Sequence, residues 1–193
     1  MYNTLKPLFK LPMNCHKVNK ANGFWEKDEP RVKRKMLIVS EVGELIDAMR
    51  TNKVQQISEA TANVHYLNEM AMDLENNKAK YHSGYNVLLK GTIEEEFADV
   101  AIRIFDYCSG FSIPILIEWY YEPNEKFAPI LDDEEVFNKL ERLVLSILNE
   151  DFANAFLILR NLCYYYNIDL VQNIILKNYY NSTREYKHGK QFL

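Results

Sequence analysis

The chain has 193 residues, 48% of them hydrophobic and 13% aromatic, with only 6 glycines and 6 prolines. That composition supplies a core and excludes both wholesale disorder and a loop-rich all-β design. A net charge of −4 gives no general basic surface for nucleic acid, so phosphate binding here requires a local cluster of cations.

Cys15, Cys108 and Cys163 lie far apart and form no CxxC, which is the pattern of reduced thiols. The first residues mix lysines with scattered apolar residues, and no apolar run approaches the length of a membrane span. The expectation is a cytoplasmic protein, without a membrane partner or a nucleic-acid partner.

In chain order, residues 1–31 carry Pro7, Pro12, Gly23 and Pro30 and predict an irregular arm. Phe24 and Trp25 are expected to pin that arm to the body, with an aromatic contact to a bound base as the alternative. A helix is expected from Arg31 to about Met49, and a second over 54–77, where Ile57, Val64, Leu67, Met70 and Leu74 recur at helical intervals. His65 within it reads as a packed or surface histidine. Residues 78–91 read as mixed, with breaks at Gly84 and Gly91. Thr92 then N-caps a central helix, Glu95 completes a capping box, and Gly110 ends it. Residues 113–121, opening Ile113-Pro114, favour a short helix with proline at an N1-like position. Three more helices are predicted, from about Asp132 to Asn149, Asp151 to Tyr166 and Ile168 to Tyr180, before a basic tail with Arg184, Lys187, His188 and Lys190. The fold class is therefore all-α, a multi-helix bundle in a single domain. Its parts are the arm (1–31), a first half (32–121), a second half (132–181) and the tail (182–193).

Two of these helices break the amphipathic pattern in the same way. Glu41 and Glu44 sit three apart and share one face, and Glu96 and Asp99 do the same on the central helix. Apolar Val42, Leu45, Phe97, Val100 and Ile104 surround them. Acidic groups this close to a core do not stay ionised and unpaired. Packed face to face, the two pairs place four carboxylates in one small volume, which a divalent cation would satisfy. Oxygen-only ligands favour a hard ion, Mg²⁺ with Mn²⁺ as a substitute. The plainer reading of each pair is a solvated helix face. Asp106 lies on much the same face, either as a supporting carboxylate or as an ion-pair partner of Arg103.

A shift of 55 positions pairs Phe97-Ala98 with Phe152-Ala153, Cys108 with Cys163 and Ile113 with Ile168. It also pairs Asp99 with Asn154 and Asp106 with Asn161. The second half reads as a degenerate copy that kept its core and lost most of its acids, the alternative being chance similarity between amphipathic helices.

Ser-Glu-Val-Gly-Glu-Leu at 40–45, followed by Glu-Glu-Phe-Ala-Asp-Val-Ala-Ile-Arg-Ile-Phe-Asp at 95–106, resembles the two metal motifs of the MazG-like, all-alpha nucleoside triphosphate pyrophosphohydrolases. The segment from Lys177 through Asn181 and Arg184 to Lys187-His188-Gly189-Lys190 is similar to that family's closing motif. Three motifs in order span residues 35–190. Ser40 stands where many members carry another Glu, Glu185 stands where relatives carry Pro, and residues 51–91 look like an insertion.

The resemblance implies Mg²⁺ held by Glu41, Glu44, Glu96 and Asp99, which would be both metal ligands and catalytic residues. Lys177, Asn181 and Arg184 would contact the phosphates or sugar of a nucleoside triphosphate. Cleavage would fall between the α and β phosphates. A narrow-specificity dUTPase- or dCTPase-like enzyme is the alternative within that superfamily. A non-catalytic helical protein that senses nucleotides or binds a partner is the alternative outside enzymology. The family's habit of assembling implies an oligomer, with a homodimer compatible with an internal copy.

Overall fold

A computed structural model describes residues 10–51, 57–115 and 133–186. These form eight helices and no strand. They are α1 (Leu11–Ala21), α2 (Arg31–Arg50), α3 (Ile57–Met72), α4 (Leu74–Leu88), α5 (Ile93–Gly110), α6 (Asp133–Leu148), α7 (Phe152–Tyr165) and α8 (Leu170–Thr183). Among the described residues no helix is long and apolar enough to cross a membrane.

Helix α5 lies at the centre, with 14 of its 18 residues buried. It packs against α1, α2, α7 and α8. Thr92 Oγ1 accepts the Glu95 N–H at 3.3 Å and so caps its start. The Glu95 carboxylate reaches back to the Gly91 N–H, one residue before the expected capping-box partner. At the other end Gly110 is the last helical residue, but the left-handed turn falls on Ser112, with φ of 55°. Glycine is required at 110 for another reason: a Cβ there would lie 2.0 Å from the Trp25 ring.

Three expectations need correction. The arm is not irregular throughout, because residues 11–21 form α1. Pro12 sits in its first turn, where no N–H is missed, and Leu11 and Cys15 enter the core. The stretch 78–91 is mostly helical, since α4 runs on through Gly84, and a break at Asp73 divides what the sequence presents as one helix. Gly84 is tolerated inside a helix because the Tyr66 ring crosses it, 3.2 Å from where a Cβ would be. The described part of the 113–121 segment, residues 113–115, is not helical. Residues 116–121, the start of the arm and the tail from Lys187 lie outside the described residues.

The main core joins α1, α2 and α5–α8. A smaller one, with Leu67, Tyr81, Tyr85, Leu89, Leu176 and Tyr180, seats the α3–α4 pair on α8, and Tyr81 Oη donates to the Leu176 carbonyl at 2.8 Å. Helices α2 and α5 pack together, as do α6 and α7, and across these pairs α2 meets α6 while α5 meets α7. That like-with-like contact is what an internal duplication would leave. The ends of α5 and α7 also match: Ile113 N–H bonds the Cys108 carbonyl and Ile168 N–H the Cys163 carbonyl, both at 2.8 Å. Helix α6 ends the same way, from Asp151 N–H to the Ser146 carbonyl at 2.9 Å, so this closure is not peculiar to the pair. In the second half Asp151 serves as the N-cap of α7, and Asn154 donates to Ser146 Oγ at 2.8 Å.

Candidate metal centre

Helices α2 and α5 cross so that one carboxylate oxygen each from Glu41, Glu44 and Glu96 lies within 4.8 Å of the others. The three differ in their surroundings. Glu44 is exposed. Glu41 accepts from Arg103 Nε at 2.9 Å. Glu96 is buried, 6% exposed, and its Oε2 has no hydrogen-bond partner. Burial, then the neighbouring Asp99 and Glu95 charges, push the Glu96 carboxyl up to about 8. A buried carboxylate with no cation beside it is costly, and an ion shared with Glu41 and Glu44 would remove that cost.

Glu41, Glu44 and Glu96 are the residues that would hold such an ion, which would require their oxygens to draw closer together. All donors are oxygen, with no His or Cys among them, which suits Mg²⁺ or Mn²⁺.

Asp99, the fourth expected ligand, is placed differently. It faces the same cleft as Glu41 and Glu44, but its carboxylate is held by the Lys177 ammonium at 2.6 Å. Lys177 also bonds Glu95, whose carboxylate is further engaged by Lys90 at 3.3 Å. Burial works against the Lys177 charge, but Asp99 and Glu95 together hold its pKa above the ordinary lysine value. Burial likewise opposes the charge on Glu95, and Lys177 and Lys90 outweigh it and hold that carboxyl below its usual range.

The cleft above these groups has a volume of about 140 Å³, and its lining is mostly polar. Lys177, Asn181 and Arg184, which the sequence places far from the acidic motifs, all line it because α8 packs along α5. Asn181 is buried with an unpartnered Oδ1. The sequence reading missed Asn19 and Lys90. Asn19, on α1, is 4% exposed with an unpartnered Nδ2, and it lines the cleft. Its only sequence signal is a polar residue four positions after Cys15 on a buried helix face.

Phe24 also lines the cleft, whereas Trp25 does pin the arm. Trp25 donates Nε1–H to Asp106 Oδ1 at 2.8 Å, and the Arg34 guanidinium covers its ring at 3.5 Å. His16 Nδ1 meets the same Asp106 oxygen at 2.7 Å. Of the two readings of Asp106, the ion pair with Arg103 does not form. Arg103 turns to Glu41 instead, and Asp106 is taken by the arm. His65 is an exposed residue 3.5 Å from Glu69, in keeping with a surface role. No family model, curated protein or solved structure matches the chain.

Proposed function

We propose that the protein is a Mg²⁺-dependent nucleoside triphosphate pyrophosphohydrolase, which adds water across the bridging bond between the α and β phosphates to give a monophosphate and pyrophosphate. The observation that carries this reading is the convergence of Glu41 and Glu44, which line a cleft shared with Lys90, Lys177 and Arg184, on the buried Glu96, whose Oε2 has no hydrogen-bond partner. A bound divalent ion would supply charge neutralisation on phosphate oxygens and a nucleophilic water. The chain's own side chains do the rest. Lys90 and Arg184 offer positive charge to an entering polyphosphate, Arg184 with a geometry suited to bidentate contact. Asn19 offers an amide donor and Asn181 an amide acceptor, each without a protein partner at that atom. A carboxylate of the acidic set takes the proton from the attacking water.

A second reading, nucleotide binding without catalysis, is favoured by one observation. Lys177 already neutralises Asp99 and Glu95, so part of the acidic site is satisfied without any metal.

Incubation with ribo- and deoxyribonucleoside triphosphates, including dUTP and dCTP, decides between them. Pyrophosphate release that stops in EDTA and returns with Mg²⁺, and that is lost in Glu41→Gln and Glu96→Gln, is the expected result. Nucleotide binding that is indifferent to EDTA, with no pyrophosphate from any substrate, would favour the second reading.

A further inference from the structure

Lysine is almost never buried without a counter-charge, and Lys177 is 2% exposed. Its ammonium sits between Glu95 and Asp99, with the Tyr85 and Tyr180 rings 5.8 and 5.6 Å away. The two carboxylates are not equivalent. Glu95 is 1% exposed and is fixed from further directions by the Gly91 N–H and Lys90. Asp99 opens onto the cleft beside Glu41 and Glu44, and its hydrogen bond runs to Lys177. The ammonium therefore neutralises the one cleft-facing acid of α5 that stands apart from the close group of three.

Resting on the metal reading above, we propose that Lys177 is a built-in counter-cation that masks Asp99 in the metal-free protein. Glu95 is the positioning residue that keeps the ammonium in the cleft once Asp99 turns to a divalent ion. Two cations cannot both occupy the Asp99 carboxylate at low dielectric without strong repulsion. The long, flexible lysine stem allows the head group to move while Glu95 still holds it. A freed ammonium beside the cleft would then meet the incoming anion. Metal and polyphosphate each favour the same displaced state of Lys177, so their binding is coupled and the coupling is reciprocal.

The test is a Mn²⁺ titration of the full chain, read by the electron paramagnetic resonance of free Mn²⁺, with and without a non-hydrolysable nucleoside triphosphate analogue. Lys177→Met is expected to bind Mn²⁺ at least about tenfold more tightly than wild type in the absence of the analogue, because the competing charge is gone. Glu95→Gln is expected to bind Mn²⁺ but to lose most of the enhancement that the analogue gives wild type. Equal or weaker Mn²⁺ binding by Lys177→Met, with wild type binding normally, overturns the counter-cation role and leaves the metal reading intact. Binding by Lys177→Met alone supports the proposal, and binding by neither protein overturns both ideas. Should Lys177→Met not fold, the ¹H–¹⁵N ammonium signal of wild-type Lys177 decides. A shift on Mg²⁺ saturation supports the displacement, and an unmoved signal overturns it.

Discussion

Glu96 holds a carboxyl where its charged form is poorly supported, and this has a consequence for stability. Its folded pKa of about 8 stands above the ordinary 4.5, because burial and the charges of Asp99 and Glu95 oppose ionisation. The native state thus binds more protons than the unfolded chain between those two values, and the metal-free protein loses stability as pH rises through that window. The slope from this group is at most about 1.4 kcal/mol per pH unit. In EDTA, Glu96→Gln should flatten the dependence of the urea midpoint on pH between about 5 and 8 and should be the more stable protein at the upper end. A wild-type midpoint that climbs across that range would contradict this picture of the site. The acidic residues were legible in the sequence by type and spacing, but their partners were not. Arg103 and Asp106 look like a local pair, yet each is claimed by a residue from a distant element, Glu41 and the His16–Trp25 pair. Spacing reports which residues share a face; only the packing of α1 and α2 on α5 decides what faces them.

At the scale of elements, strong apolar periodicity gave α2 and α5–α8 to within a few residues, since each has a continuous face to bury. The failures have specific causes. Pro12 and the lysines of α1 masked a short helix whose buried face is only Leu11, Cys15 and Asn19 beside Pro12. Gly84 looked like a break but makes room for Tyr66. Gly110 is the sharpest case. In an ordinary helix Gly→Ala gains about 1 kcal/mol of propensity, whereas forcing a methyl into a filled space costs about 1–3 kcal/mol. With the Trp25 ring 2.0 Å from the added carbon, the clash should win. Gly110→Ala is expected to lower the thermal midpoint, and a raised midpoint would show that the arm packs more loosely on α5 than the structure has it.

At the scale of the whole molecule, α5 is the element on which everything converges. It offers Glu96 and Asp99 toward α2 and α8, and Asp106 and Gly110 toward the arm. The sequence carried its central position through burial-type residues around acids, and carried the cleft through motifs that only the bundle brings together. The docking of the α3–α4 pair had no such signal, because its aromatic contacts with α8 join residues about a hundred positions apart. Everything proposed for the site depends on whether a hard divalent ion binds at Glu41, Glu44 and Glu96. The most direct measurement is anomalous diffraction at the manganese edge from crystals grown with Mn²⁺ and a non-hydrolysable nucleoside triphosphate analogue. A peak among those three carboxylates that disappears in Glu96→Gln is expected. No peak there, or one that persists unchanged in the variant, would contradict it.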